Sequence, residues 1–500
     1  MQTPQEIELK LLVPLSSATE ALQRLRRVPA LRRRASQTHQ LLNRYFDTPA
    51  LDLHRQRCAL RLRQTDGQGW RQTLKTAGHS QGGLSQRGEW ETAVPAGRLS
   101  RKALHGTAWD TLDPTGELFT QLQPYFETHC QRTTWQVRTR DGSHVEVAFD
   151  AGQVLAGPHT EHWLELELEL VHGPAERLFE LAQQIAAHLP VLPCDISKAE
   201  RGYALAAQRA HQPVKAQTVP LPRQGAPLQL AAPVLAEIQG QLQRNLEGLL
   251  YRDDPELVHQ ARVAWRRWRS VVRLLRPWLP SMPPAANGLG SLLEALGALR
   301  DLDVAVHDTL PGWEAAYTQG SADEAAPRQH RWAVALEALR AAAAQQRTVV
   351  RQALAQPAAG AYFVDSTQWL YLLARSAHAT AAPPEVPPRW ATDRLARWHR
   401  RLDRLLKQAP GHPDKLHDAR LLAKRLRYAS EAIAAALPKS QTRRSAGWTQ
   451  KASAWQASIG LQRDVEQAAL LLQRHGAPDE LTGFMRGVAA ALHQTPRTAP

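Results

Sequence analysis

The chain has 500 residues, of which 43% are hydrophobic, and it carries 62 Lys and Arg against 47 Asp and Glu, a formal net charge of +15. At roughly 100 to 200 residues per domain this length predicts about three compact units, and the charge favours polyanionic partners such as polyphosphate, nucleic acid or an anionic membrane surface. Three scattered cysteines without CxxC pairing argue against a disulfide framework or a zinc site and indicate a reducing, cytoplasmic environment.

The amino-terminal residues argue against a secretory signal. Glu6, Glu8 and Lys10 occupy the region where a signal peptide would need an apolar core. No stretch of the sequence approaches the ~18 uninterrupted apolar residues of a membrane span. We therefore expect neither secretion nor a membrane-spanning segment.

Up to about residue 170 the sequence alternates between polar and apolar residues with period two. Glu6, Glu8 and Lys10 alternate with apolar residues, and Arg61 and Arg63 alternate with leucines. This periodicity is typical of β-strands. Further alternating runs cover 70–75, 87–93, 145–150 and 163–170, and short helices are predicted from Ser17 and over about 174–188. We therefore predict an α+β first unit dominated by antiparallel strands.

The charged residues of each strand share one face, because side chains at i, i+2 and i+4 point to the same side. For a single strand, the solvated face of a half-exposed sheet explains such charges well. At least six strands carry them, however, and a closed barrel would enclose a ring of Arg and Lys together with a ring of Glu and Asp. Such an interior is costly unless metal ions neutralise the carboxylates and phosphates neutralise the basic groups.

Seven motifs in a characteristic order lead from these strands to a known family. They are Glu6-Ile7-Glu8-Leu9-Lys10, Tyr45-Phe46-Asp47-Thr48-Pro49, Leu60-Arg61-Leu62-Arg63, Gln72-Thr73-Leu74-Lys75, Arg87 with Glu89 and Glu91, Glu165-Leu166-Glu167-Leu168-Glu169, and Ser197-Lys198-Ala199-Glu200-Arg201-Gly202-Tyr203. Residues 1–205 thereby resemble the CYTH family of triphosphate tunnel metalloenzymes, which includes class IV adenylyl cyclases, thiamine triphosphatases and inorganic triphosphatases. The resemblance implies an antiparallel β-barrel that forms a triphosphate tunnel.

The resemblance also implies roles for individual residues. Glu6 and Glu8 would bind Mg²⁺ or Mn²⁺ with two carboxylates of the late acidic strand; Glu167 and Glu169 fit best, and Glu165 is the alternative. Asp150 would assist a second ion, and Glu89 and Glu91 are further candidate ligands. The phosphate oxygens would be held by basic residues. These are Lys10, Arg61, Arg63 and Lys75 in catalysis, and Arg132 and Lys198 with Arg87 and Arg138 in substrate binding.

The rest of the chain is predicted to be helical. Residues 206–230 read as a linker, because proline, glutamine and small residues dominate there. From 231 to 490 apolar residues recur at steps of three and four, which predicts amphipathic helices. A Pro-rich break around 382–388 divides this region into halves of about 231–380 and 391–490.

The two halves contain the same short motif. Val258-His259-Gln260-Ala261-Arg262 aligns with Leu416-His417-Asp418-Ala419-Arg420, and Leu296-Gly297 aligns with Ile459-Gly460. The order and approximate spacing are kept, which predicts an internal duplication of a helical unit.

Each copy of the motif begins a stripe of basic residues at helical spacing. The stripes contain His259, Arg262, Arg266 and Arg269 in the first copy and His417, Arg420, Lys424 and Arg427 in the second. No acidic residue occurs in 257–276, so the like charges would repel unless a polyanion binds them. The histidines could contact the ligand or form helix-packing hydrogen bonds. We expect Arg404 and Lys407 to be ordinary surface charges outside the repeated motif.

These helices resemble the CHAD domain, an α-helical domain with two four-helix halves that is associated with polyphosphate binding and often follows a CYTH domain. We therefore expect metal-dependent hydrolysis of inorganic triphosphate to pyrophosphate and phosphate, with long-chain polyphosphate bound by the helices. The scarcity of stacking aromatic residues disfavours nucleic acid. The location would be cytoplasmic, with association with polyphosphate granules. A class IV nucleotide cyclase, a thiamine triphosphatase and a non-catalytic polyphosphate-binding protein are the alternatives.

Overall fold

The computed structural model describes residues 5–66, 68–223, 225–379, 389–409 and 412–494. Contacts divide the chain into two units. The first contains the chain as far as Gln212 together with Pro284–Leu289 and Leu354–Trp369, and the second contains the remaining segments. The Pro-rich break predicted around 382–388 lies outside the described residues.

An antiparallel β-sheet forms most of the first unit. Its strands are β1 (Gln5–Leu12), β2 (Ser36–Asp47), β3 (Ala59–Thr65), β4 (Trp70–Lys75), β5 (His79–Gln81), β6 (Leu84–Val94), β7 (Gln123–Arg138), β8 (His144–Ala156), β9 (His159–His172) and β10 (Leu192–Pro193). Eight of them follow the order β1, β9, β8, β7, β2, β3, β4, β6, and the pairing of β6 with β1 closes the barrel. The predicted antiparallel barrel is confirmed.

Alternation along the strands separates a charged interior from an apolar exterior. In β1, Leu9 and Leu11 are almost fully buried in the outer core, while Lys10 has the opposite orientation. Arg132 of β7 forms an ion pair with Glu167 of β9, although β8 lies between these strands. The charged faces therefore meet inside the barrel.

Short helices cover the barrel and reach into one end of it. They are α1 (Ala18–Leu25), α2 (Asp52–Arg55), α3 (Trp109–Leu112), α4 (Glu117–Thr120), α5 (Glu176–Ala186) and α6 (Lys198–Ala206). The predicted helices near Ser17 and over 174–188 correspond to α1 and α5. The Ser17 hydroxyl accepts a hydrogen bond from the backbone N–H of Glu20 at 3.2 Å, as expected of an N-cap.

Helix α6 packs against β7, β8 and β9. A capping box between Ser197 and Glu200 starts the helix, and this places Lys198 in its first turn. Gly202 allows close packing, because a Cβ atom at this position would lie 2.2 Å from the ring of Phe126. The local sequence of α6 therefore brings the Lys198 ammonium group into the barrel.

The second unit is mostly helical, as predicted. The helices from residue 227 onward are α7 (Pro227–Tyr251), α8 (Pro255–Leu275), α9 (Gly290–Val304), α10 (Glu314–Thr318), α11 (Ala322–Leu354), α12 (Pro357–Ala379), α13 (Trp390–Gln408), α14 (Pro413–Ala432), α15 (Lys439–Arg474) and α16 (Asp479–Gln494). Helix α7 starts inside the predicted 206–230 linker, because Pro227 can occupy the first helical turn without losing a hydrogen bond. Among the described helices, none is long and apolar enough to cross a membrane.

The aligned motifs lie on equivalent helices. Helices α8 and α14 both begin with a proline in the first turn, at Pro255 and Pro413, and they pack against each other. The second pair of aligned segments lies in α9 and α15. Of the described α-helices, the predicted second half contains four, α13 to α16, whereas the first half contains six, α7 to α12, including the five-residue α10.

Candidate functional site

Buried charged side chains line the interior of the barrel. Glu8, Lys10, Arg61, Glu165 and Lys198 are each at most 7% exposed, and Asp150 is fully buried. Burying this many charges is unfavourable unless each of them finds a partner of opposite charge. The pairing of these groups therefore indicates where the interior can accept further ions.

The first cluster contains three carboxylates on neighbouring strands. Oxygen atoms of Asp150, Glu165 and Glu167 lie within 4.8 Å of one another. The Lys198 ammonium forms ion pairs with all three carboxylates, at 2.8 Å to Asp150 and 2.7 Å to Glu167, and Arg132 donates to Asp150 at 2.7 and 2.8 Å. Burial alone would raise the pKa of Asp150, but Arg132 and Lys198 hold it below its usual range.

The two glutamates of β1 are bridged by basic side chains of β4 and β6. Arg87 donates to Glu6 at 3.0 Å and to Glu8 at 2.6 Å. Lys75 lies 2.9 Å from Glu6 and 3.0 Å from Glu89. Lys75 and Arg87 thus neutralise the predicted metal ligands, and replacing either one would also disturb these carboxylates.

Glu169 is a carboxylate that forms no ion pair in the described part of the chain. Among the described residues it has no ion-pair partner within 4.0 Å, and it faces Glu146 on the neighbouring strand β8. Burial raises the pKa of Glu169 to about 7, with further contributions from Glu6, Glu146 and Glu89. A divalent cation at this position would remove the repulsion. No sequence motif pointed to Glu146, although it shares a strand face with Asp150.

Arg63 on β3 is the basic counterpart of Glu169. The guanidinium of Arg63 donates to the amide oxygen of Asn43 at 2.8 Å and forms no ion pair with a described carboxylate. Burial, together with repulsion from the neighbouring Arg61 and Arg132, lowers the pKa of Arg63 to about 10, and attraction to Glu91 opposes this shift. An anion placed beside Arg63 would offset its desolvation and the repulsion from Arg61 and Arg132.

Two predicted site residues, Glu91 and Arg138, lie away from the carboxylate clusters, whereas Glu89 lies beside Glu6 through their shared contact with Lys75. Glu91 bonds to Arg71 and to Thr73, the latter at 3.0 Å, and Glu89 lies 3.8 Å from Arg61 in addition to its contact with Lys75. Arg138 is exposed at the end of β7, on the same strand face as Arg132. The structure therefore does not bring Glu91 or Arg138 together with Asp150, Glu165 and Glu167.

The carboxylates are suitable ligands for a hard divalent cation. They offer only oxygen atoms, which Mg²⁺ and Mn²⁺ prefer, and three of them already converge. Glu169, which forms no ion pair with a described cation, also favours a bound metal ion. The residues present therefore fit a metal ion.

A second charged cluster lies where α8 packs against α14, and both repeated motifs contribute to it. Burial lowers the pKa of Lys424 to about 7, assisted by repulsion from Arg266, Arg420, Arg463 and Arg427. The pKa of Arg262 is also lowered, first by burial and then by Arg266. We call Arg262, Arg266, Arg420, Lys424, Arg427 and Arg463 the α8–α14 cluster.

The remaining members of the predicted stripes have different surroundings. His259 is half-buried, and burial together with Arg300 lowers its pKa, whereas His417 is exposed. Neither histidine side chain has a hydrogen-bond partner in the described part of the chain, so helix-packing hydrogen bonds are not seen. Arg269 is exposed and lies close to Arg425 rather than to Lys424.

Comparisons with known proteins match both parts of the chain. Residues 4–203 match the family model of the CYTH domain, and residues 234–473 match that of the CHAD domain. The chain is 34% identical over 209 residues to a Haemophilus influenzae protein named inorganic triphosphatase. The aligned segment covers 41% of this chain and 56% of that protein. The chain thus spans about half the length of this curated relative.

Solved structures also resemble the chain. The CHAD domain from the plant Ricinus communis has 26% identity and a TM-score of 0.45, covering 58% of this chain and 94% of that one. An adenylyl cyclase candidate from Hippeastrum with a dominant triphosphatase activity has 21% identity and a TM-score of 0.29, covering 40% of this chain and 95% of that one.

Proposed function

Because the chain consists of a CYTH domain followed by a CHAD domain, we propose that its barrel hydrolyses inorganic triphosphate to pyrophosphate and phosphate. The name of the Haemophilus relative supports this substrate. The observation that carries the proposal is the division of charge inside the barrel. Among the described residues, Arg63 on one side and Glu169 on the other form no ion pair, although Glu91 attracts the charge of Arg63 and Lys75 that of Glu169.

A divalent ion, Mg²⁺ or Mn²⁺, would be held by Glu6 and Glu8 together with Glu169 and Glu167, with Glu165 as the alternative and Asp150 assisting. Such an ion neutralises phosphate charge and lowers the pKa of a bound water. In the structure, Glu167 and Asp150 both form ion pairs with Arg132 and Lys198. With a cation held by these carboxylates, Arg132 and Lys198 would be available to bind phosphate oxygens.

The basic residues would bind and orient the substrate. Arg61 and Arg63 on β3 can donate parallel hydrogen bonds to phosphate oxygens, while Lys10 and Lys75 act as point charges. Hydrolysis breaks the bridging P–O bond as water attacks the terminal phosphorus, so negative charge develops on the leaving pyrophosphate. Fixed guanidinium and ammonium groups stabilise that charge without reorganisation.

The activity can be tested by measuring phosphate release from tripolyphosphate with added Mg²⁺ or Mn²⁺. We expect turnover to disappear in excess chelator and in the variant Glu6→Gln with Glu8→Gln. Glu117→Gln with Glu180→Gln removes two exposed carboxylates from the same unit and should keep full activity. Full activity of the tunnel variant would contradict the metal assignment. Faster formation of cyclic AMP from ATP, or faster cleavage of thiamine triphosphate, would favour the alternative activities.

We further propose that the α8–α14 cluster binds long-chain polyphosphate. The supporting observation is the convergence of basic side chains from both repeats, whose repulsion adds to burial in lowering the pKa of Lys424 to about 7. A polyanion would relieve this repulsion and release its own counterions, so binding should weaken steeply with salt. The double variant Arg266→Gln with Lys424→Gln should weaken polyphosphate binding strongly. Unchanged binding would refute this assignment.

A further inference from the structure

A second set of basic side chains lies along α13, outside the repeated motif. Five arginines and one tryptophan of this helix line a cleft of about 390 Å³; they are Arg394, Arg397, Trp398, Arg400, Arg401 and Arg404. We call this the α13 cleft. Arg404, expected from the sequence to be an ordinary surface charge, is part of it.

The arginines of the α13 cleft are not neutralised by acidic residues. None of the five forms an ion pair with a carboxylate in the described ranges, and nearby Asp403 lies 3.1 Å from His399 instead. By contrast, Arg328 and Arg331 of α11 both bind Glu480. Burial lowers the pKa of Arg394, and Arg397 and Arg273 lower it further. A like-charged cluster that is left unpaired in this way favours an anionic ligand.

The aromatic rings near the cleft are already covered by guanidinium groups. Arg394 lies 5.8 Å from the ring centre of Trp278 and 5.9 Å from that of Trp398, and Arg425 lies 6.0 Å from the Trp398 ring. These cation–π contacts hold Arg394 and Arg425 in place. They also occupy the ring faces on which nucleic-acid bases would stack. The cleft therefore fits a phosphate chain without bases better than single-stranded RNA.

The α13 cleft is linked to the α8–α14 cluster by basic side chains of the same unit. Burial lowers the pKa of Arg425, and repulsion from Arg273, Arg401 and Arg269 adds to this effect, which places these four groups close together. Arg269 lies one helical turn beyond Arg266 on α8. Basic groups therefore continue from the α8–α14 cluster along α8 to α13.

We infer that the α13 cleft is a second phosphate-binding segment, which a polyphosphate chain enters when it extends beyond the α8–α14 cluster. The inference rests on the polyphosphate binding proposed above. Short chains would be held by the α8–α14 cluster alone, whereas long chains would gain the additional contacts of α13. Inorganic polyphosphate suits this path because it is flexible and carries a charge on every unit.

The test uses the full chain and the variant Arg397→Gln with Arg401→Gln, which removes two exposed charges from the cleft. For polyphosphate of about 100 phosphates we expect the affinity to fall roughly tenfold. The slope of log affinity against log salt should decrease by about 1.4, since each lost phosphate contact to a flexible chain contributes about 0.7. Arg340→Gln with Arg474→Gln, two exposed arginines on α11 and α15, is the control and should change affinity less than about twofold.

The outcomes separate this inference from the proposal on which it rests. Equal behaviour of the cleft variant and the control would overturn the inference, while a loss of binding in Arg266→Gln with Lys424→Gln would still support the α8–α14 cluster. If neither double variant weakened binding, the proposed polyphosphate function would fail as well. Arg397→Lys with Arg401→Lys keeps the charge and should retain most of the affinity. Displacement of bound polyphosphate by single-stranded RNA of equal phosphate number would overturn the choice of ligand.

Discussion

Replacing Lys424 by glutamine should stabilise the protein at pH 6. Burial and the surrounding arginines lower the pKa of Lys424 from 10.5 to about 7. Each tenfold change in proton affinity corresponds to about 1.36 kcal/mol, so the folded state bears a penalty of about 5 kcal/mol. Lys424 is partly exposed, and solvent screening reduces the expected penalty to about 2 kcal/mol.

The predicted effect depends on pH. Below pH 7 the Lys424 amine is protonated in both the folded and the unfolded chain, so the folded chain bears the full penalty. Between pH 7 and 10.5 the folded chain loses this proton while the unfolded chain keeps it, and the penalty declines as the pH rises. The gain in the free energy of unfolding should therefore be about 2 kcal/mol at pH 6 and about 0.5 kcal/mol at pH 9.5.

Urea denaturation at low salt, followed by tryptophan fluorescence, measures this gain. Lys439→Gln removes an exposed lysine at the start of α15 and should change the free energy of unfolding by less than about 0.5 kcal/mol. Saturating polyphosphate should abolish the advantage of the Lys424 variant, because the polyanion would neutralise the same repulsion. A gain of equal size at pH 6 and pH 9.5 would refute the electrostatic explanation.

Three further predictions concern the barrel. Arg63→Gln should raise the KM for tripolyphosphate about tenfold without moving the metal titration midpoint. Lys75→Gln should change both quantities, because Lys75 bonds to the predicted metal ligand Glu6. Equal midpoint shifts in the two variants would contradict these separate roles. In chelator, Glu169→Gln should stabilise the protein by about 2 kcal/mol at pH 8 but little at pH 4.5. The pKa of Glu169 is raised to about 7 in the folded chain, so ionisation of this carboxyl destabilises the fold as the pH rises. Urea midpoints measure this difference, and a pH-independent gain would count against it. Gly202→Ala should lower stability by about 1–3 kcal/mol and reduce turnover, since overpacking would displace the helix that carries Lys198; an unchanged melting temperature would disprove the close packing.

The barrel and the helical unit could be predicted because their signals are local. Alternation around Glu6, Glu8 and Lys10 shows that the three side chains share a face, and this follows from strand geometry alone. The stripes that begin at His259 and His417 follow equally from helical spacing. Such periodicity depends on neighbours within a few residues, so it is readable without the tertiary structure.

The partners of these side chains could not be read in the same way. Arg132 bonds to Asp150, its neighbour on β8, but it also reaches Glu167 one strand farther on, which depends on the curvature of the closed barrel. Lys75 reaches Glu6 because β6 pairs with β1 at closure. Glu146 was missed, since its importance comes from its position opposite Glu169.

The sequence by itself determined which faces are charged, in what order the strands and helices follow, and which residue types the sites contain. The tertiary structure decided which charges neutralise one another and which are left without a partner. Within the described ranges it left Glu169 and Arg63 without an ion pair, and it gathered Arg401 and Arg425 beside α8. The physical reason is that Coulomb energies depend on distance through space and on burial, and both quantities arise only when segments far apart in the chain are packed together.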